Sequence, residues 1–256
     1  MSAMDTPLSM PPMTALDVIT QVIAALLYMG VGVAALAQAP RDPRTRVFFA
    51  FAVMNCVAFG IPTFGWFIGE RNPLAMFRIP MALVLSALAV GALLLFHFSQ
   101  VFPRRRPWIR ASGPQLPIAY ALTPLAVLGL TQLWPEKPAN ATVPFILTFI
   151  VFGFPLMVLL GAVLPFAGIV SLLRSYRETA TPEGVPSARR VLWLILLSQI
   201  AGGVLAVVFA PVLARVAPNS FTLTFVTVLV WALGLLTPIA FATGVWIDRL
   251  LDADAG

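Results

Sequence analysis

The sequence predicts an all-α, polytopic membrane bundle of seven transmembrane helices, with the N-terminus outside and the C-terminus cytoplasmic. Three observations carry that expectation. Of the 256 residues, 60% are hydrophobic and 10% charged, against about 45–50% and about 25% in a soluble domain. Apolar runs near or above the roughly 20 residues needed to cross the hydrocarbon core recur along the whole chain. Those runs lack period-2 alternation, which favours helices over a barrel. The same composition excludes a soluble enzyme, a nucleic-acid-binding domain, a secreted disulfide scaffold and a disordered chain.

Taken in order, residues 1–13 read as an extracytoplasmic tail. They contain Asp5 and no Lys or Arg, so the positive n-region of a signal peptide is missing. The next apolar stretch outruns the roughly 7–15 residues of a signal core, and is expected to be retained as the first helix, 14–37. The other spans are expected at 46–69, 76–102, 116–134, 143–173, 190–216 and 221–248. The membrane domain then covers 14–251, and 252–256 form a cytoplasmic tail. Pro62, Pro80, Pro124, Pro155, Pro165, Pro211 and Pro238 fall within spans. Each removes a backbone donor and is expected to kink its helix, which neighbouring helices can accommodate.

Orientation follows from arginine placement. The connection after span one carries Arg41, Arg44 and Arg46, that after span three Arg104, Arg105, Arg106 and Arg110, and that after span five Arg174, Arg177, Arg189 and Arg190. The alternate connections are poorer, with Glu70, Arg71 and Arg78, then Glu136 and Lys137, then Arg215. Arginine-rich loops are expected in the cytoplasm. Trp66 and Trp134 fall near the expected outer boundary, and Trp108, Trp193 and Trp246 near the inner one, as interfacial aromatics do. The net charge of +6 reflects those loops rather than an affinity for nucleic acid.

The residues point away from several chemistries. Cys56 is the single cysteine, so neither an intrachain disulfide nor a cysteine metal cage can form. His97 is the single histidine, so no HExxH zinc site exists. His97 and Ser99 are two residues apart and point to different helix faces, which disfavours a local Ser–His dyad. No G-x-S-x-G elbow occurs. The only lysine, Lys137, lies in a loop, so no retinal Schiff base can form in the last helix. The expectation is of no enzyme, no cofactor and no metal. No relay of buried ionisable groups marks a proton-coupled transporter. A channel or facilitator for a neutral solute would have Gln21, Asn55, Ser198 and Gln199 as its lining.

Polar chemistry gathers at the expected outer ends of the spans. Asp17 and Gln21, four residues apart, share one helix face; Glu70, Arg71, Arg78 and Arg215 end or begin neighbouring spans. Together these six are candidate ligand-binding residues, with Arg78 or Arg215 pairing Asp17 or an anionic ligand. Ordinary interfacial solvation of charges at helix ends is the competing explanation. Gly65 and Gly69 have GxxxG spacing, and Gly202-Gly203 interrupts span six; internal packing is expected ahead of a homodimer.

Three stretches resemble a known pattern. Span three ends as His97-Phe98-Ser99-Gln100-Val101-Phe102-Pro103, followed by Arg104-Arg105-Arg106. Span six opens with Arg189-Arg190-Val191-Leu192-Trp193. Span seven carries Pro238-Ile239-Ala240-Phe241 and then Arg249-Leu250-Leu251-Asp252-Ala253-Asp254. In order and spacing this is similar to the seven-helix membrane region at the N-terminus of many bacterial sensor histidine kinases and related signalling proteins. The resemblance runs from span three to the end. It implies a sensory or regulatory module of a bacterial inner membrane, with His97, Pro103, Pro238 and Arg249 in the relay. It departs from the family in that no output domain follows within these residues, which implies a cytoplasmic signalling partner. The stimulus would be a ligand or the lipid bilayer itself.

Overall fold

The computed structural model describes residues 15–67, 78–102, 115–133, 149–178, 186–209, 212, 216 and 221–247. All of their regular structure is helical. Helix α1 is Ala15–Gln38, α2 Pro43–Phe67, α3 Arg78–Val101 and α4 Gln115–Leu133. A π segment, Phe149–Gly153, leads into the short α5, Phe154–Val158; a second, Leu159–Val163, leads into α6, Leu164–Glu178. Helix α7 is Pro186–Val204 and continues as a π segment, Leu205–Phe209; α8 is Phe221–Ala242 and continues as another, Thr243–Ile247.

Seven spans are not found. Among the described residues four helices are long and apolar enough to cross a membrane: Ala15–Gln38, Pro43–Phe64, Ala82–Val101 and Val228–Trp246. The apolar helix in the fourth expected span is shorter, Leu116–Gly129. The fifth and sixth expected spans are apolar in composition, but their described residues are not one regular α-helix each. Prolines explain much of this. A proline lacks the amide that would bond the carbonyl four residues back, and its ring crowds that carbonyl. For Pro155 and Pro165 those carbonyls belong to Val151 and Gly161, and each lies inside a π segment. The widened turn relieves the crowding, as π bulges do. Helix α6 keeps only 15 residues and ends with Arg174, Arg177 and Glu178, while α7 opens with Arg189 and Arg190. The outside N-terminus and cytoplasmic C-terminus expected from seven alternating spans fall with that number. The molecule is a multi-span helical membrane protein.

Six helices close into a ring: α1 packs on α2, α2 on α3, α3 on α6, α6 on α7, α7 on α8, and α8 back on α1. Helix α4 lies outside the ring against α3. Large apolar side chains turn outward around it, including Leu26, Leu125 and Phe166, each more than 60% exposed. Water would not tolerate so wide an apolar surface; lipid solvates it. At the α1–α2 seam the backbones come unusually close. A Cβ built on Gly32 would stand 2.9 Å from the Ala52 Cβ, so only glycine fits there.

The ring is packed unevenly. The buried cluster is drawn from the C-terminal halves of α1, α3 and α8 and the N-terminal halves of α2 and α7, with Leu172 of α6. These halves share one end of the molecule, which also carries Arg41, Arg44, Arg46, Arg174, Arg177, Arg189 and Arg190; we call it the basic end. Phe48 and Phe241 stack there at 3.9 Å between ring centroids. Phe98 meets Phe241 edge-on at 5.6 Å and stacks on Phe102 at 5.1 Å. Toward the other end the buried residues are mostly small, such as Ala24, Ala58, Ala82 and Ala87.

The α1–α2 connection shows how that end is fastened. Asp42 caps α2: its Oδ1 accepts the Arg44 amide at 2.7 Å, with Pro43 in the first helical position, where its missing N–H costs nothing. The same carboxylate holds the Arg44 guanidinium, with Nη2 2.8 Å from Oδ2. Thr45 donates to the Ala39 carbonyl at 2.6 Å, and Arg46 Nε to that of Pro40 at 2.6 Å. Arg44 is thus a buried, neutralised structural residue rather than a free loop charge.

Candidate functional site

Above the aromatic core, between the ring helices, lies a half-open cavity of about 320 Å³. All six ring helices line it: α1 through Tyr28, α2 through Asn55, α3 through Gly91, α6 through Pro165, α7 through Gln199 and α8 through Gly234. Among the described residues its walls are otherwise apolar, and none that lines it is charged. A concave, largely apolar space with a few convergent polar groups, between the helices of a bundle, is the usual form of a small-molecule site.

The polar groups are arranged around one proline. Pro238 has no amide to donate to the carbonyl four residues back, which is that of Gly234. That carbonyl instead accepts the Tyr28 hydroxyl from α1 at 3.0 Å. One turn along, buried Thr237 donates to Ser198 Oγ at 2.9 Å and accepts from Gln199 Nε2 at 3.1 Å. The proline turn of α8 is therefore tied on one side to α1 and on the other to α7. The Tyr28 ring is itself wedged edge-on against Phe51, 5.8 Å between centroids. Asn55 returns its amide to the Phe51 carbonyl of its own helix at 2.8 Å.

Of the residues singled out in the sequence, Pro238 belongs to this site and is fully buried. So do Asn55 and Gln199 as lining, with Ser198 just behind. Gln21 does not: its Oε1 accepts the Thr63 hydroxyl of α2 at 3.0 Å, away from the cavity lining. Asp17 sits half-buried one turn before it. Arg78 begins α3, while Glu70, Arg71, Arg215, Pro103 and Arg249 lie outside the described residues. His97 is not in the cavity either. Its Nδ1 is 2.6 Å from the Tyr120 hydroxyl, joining α3 to the peripheral α4. Gly202 faces α8, where an added Cβ would meet Leu233 Cβ at 3.7 Å, which makes it a packing residue.

Sequence reasoning missed Tyr28 and Gly234. The proline announces that a carbonyl loses its donor, but the group that replaces the donor lies 206 residues away.

The motif stretches do come together in space. Phe98, Val101 and Phe102 of α3, Val191 and Leu192 of α7, and Ala240 and Phe241 of α8 all belong to the buried cluster of the basic end. Arg189 lies over the Tyr176 ring at 4.9 Å, fastening α7 to α6. No protein-family model and no curated protein matches the chain.

Proposed function

We propose that this protein is a membrane-embedded sensory or regulatory module, of the kind its motifs resemble in bacterial sensor kinases, working in a bacterial inner membrane. A small molecule held in the mid-bundle cavity shifts the ring helices against one another. Helix α8 carries that shift to a partner at the basic end. The observation that supports this is the position of the cavity. It touches every helix of the ring and adjoins the aromatic core, to which α8 contributes Phe241 one turn beyond Thr237 and two beyond Gly234. A change in volume there alters the footing of Phe241 on Phe48 and Phe98.

A facilitator for a neutral solute is less well supported. Asn55 and Gln199 face the cavity, but Phe48, Phe98, Phe102 and Phe241 fill the ring below it and are all buried.

Two measurements test the reading. In a Cys56→Ala background, spin labels at Gln38→Cys and Trp246→Cys report the distance between the basic ends of α1 and α8. Filling the cavity with Gly91→Leu should change that distance by about 1–2 Å, the usual scale of helix shifts. An unchanged distance removes the coupling. In liposomes, glycerol or urea flux above that of protein-free vesicles would support the facilitator instead.

A further inference from the structure

The chemistry of the cavity wall narrows what it can hold. Its volume of about 320 Å³ is roughly twice the 150 Å³ of an engineered protein cavity that binds benzene, so a bicyclic hydrocarbon skeleton fits. No lining residue among the described ones is charged, so an ion placed there would exchange hydration for a wall without a counter-charge. That wall suits a neutral ligand.

The polar groups that face it are richer in acceptors than in donors. Tyr28 spends its only donor on Gly234, and Gln199 and Asn55 each commit one of their two amide hydrogens, to Thr237 and to Phe51. The Gly234 carbonyl is held by a side chain, and Pro238 has no amide to reach back to it. Gly234 also leaves that stretch of wall bare, with nothing within 4 Å of where a Cβ would stand. A hydroxyl arriving in the cavity can therefore reach a carbonyl whose present donor swings on a side chain.

We propose that the cavity binds a small, neutral, bicyclic-sized apolar molecule carrying one hydroxyl, and that this hydroxyl takes the place of Tyr28 at the Gly234 carbonyl. The proposal rests on the reading of the cavity as a ligand site. Exchange at Gly234 cuts one hydrogen-bonded tie between α1 and α8 where the ring closes, at the turn that Pro238 deprives of its amide. Ligand recognition and release of α8 are then one event.

The test uses the full chain in nanodiscs with three probes: 2-naphthol, naphthalene and 2-naphthoate, each corrected for uptake by empty nanodiscs. In the wild type, 2-naphthol binds more tightly than naphthalene, and 2-naphthoate does not bind. Tyr28→Phe keeps the ring and frees the carbonyl, so it strengthens 2-naphthol binding by about fivefold to tenfold and leaves naphthalene unchanged. Gly91→Leu abolishes binding of both neutral probes. Should that variant fail to fold, Gly91→Ala, whose methyl meets only Met54 Cβ at 4.0 Å, should weaken both. Equal binding of naphthol and naphthalene, indifferent to Tyr28→Phe but lost with Gly91→Leu, overturns the hydroxyl exchange while leaving a ligand cavity. Binding of 2-naphthoate as tight as that of 2-naphthol overturns the neutral class. If no probe binds, this proposal fails, and the spin-label distance, which needs no ligand, decides separately whether the sensory reading survives.

Discussion

Replacing Tyr28 by Phe deletes one oxygen and keeps the ring that packs on Phe51. The change therefore isolates the hydroxyl that serves the Gly234 carbonyl at 3.0 Å. Stranding a buried carbonyl costs about 1–3 kcal/mol in water-soluble proteins, whereas cross-helix hydrogen bonds in membranes average about 0.6 and reach about 1.7 kcal/mol. This carbonyl has lost its own helical donor to Pro238, so we expect the upper part of the membrane range, about 1–1.5 kcal/mol. The origin of the loss can be checked with a second substitution. Pro238→Ala restores the amide that closes the turn onto Gly234. In that background the Tyr28 hydroxyl is redundant, and Tyr28→Phe should cost less than about 0.5 kcal/mol, leaving a coupling energy near 1 kcal/mol. Reversible unfolding in bicelles, followed for the four proteins of the cycle, gives the number. Equal losses from Tyr28→Phe in the wild type and in the Pro238→Ala background would refute the idea that Tyr28 substitutes for the missing amide.

Other substitutions have equally direct expectations. Gly32→Ala brings a methyl to 2.9 Å from Ala52 Cβ and should cost about 1–3 kcal/mol in the same unfolding assay. Phe241→Ala empties the centre of the aromatic core and should cost about 3–5 kcal/mol, more than any single change at the cavity. Asp42→Ala removes both the α2 cap and the partner of buried Arg44, with an expected loss of about 2–4 kcal/mol; Asp42→Asn, which keeps a capping oxygen, should recover part of it. Ser86→Ala runs the other way: Ser86 Oγ is a buried hydroxyl with no hydrogen-bond partner among the described residues, and its removal should raise stability by about 0.5–1 kcal/mol.

Helical class and membrane residence were legible because composition alone excludes the alternatives, but the number of spans was not. Hydropathy counts apolar residues and is blind to whether consecutive turns share one pitch. Between 149 and 178 the chain is apolar for most of its length, yet Pro155 and Pro165 each force a π turn onto the preceding residues. The prolines were visible in the sequence; what they do to a run with two of them ten residues apart was not. The role of Arg44 was not legible either, since it reads as a loop charge until Asp42 is seen to cap, bind and bury it. The candidate site divides similarly. Asn55, Gln199 and Pro238 stand out as polar groups and a helix breaker in apolar surroundings. Tyr28 does not, because a tyrosine in an apolar helix gives no sign of which distant carbonyl it will serve. Of the set expected at the span ends, Asp17 and Gln21 are not among the described residues that line the cavity, and Glu70, Arg71 and Arg215 lie outside the described residues.

The closure of the ring between α1 and α8 also orders events during biosynthesis. Tyr28 emerges from the ribosome 206 residues ahead of Gly234, and at about 5–20 residues per second that interval is roughly 10–40 s. Throughout it the first helices can pair with each other, but the tyrosine hydroxyl has no α8 to bind and the inward faces of α1 and α2 have no lid of later helices. The nascent chain must wait in the membrane as an open arc, with its most polar interior groups turned toward lipid or toward the insertion machinery. Membrane proteases and insertases therefore meet this protein at its most vulnerable before α8 is made, and a ribosomal pause upstream of Gly234 lengthens that exposure.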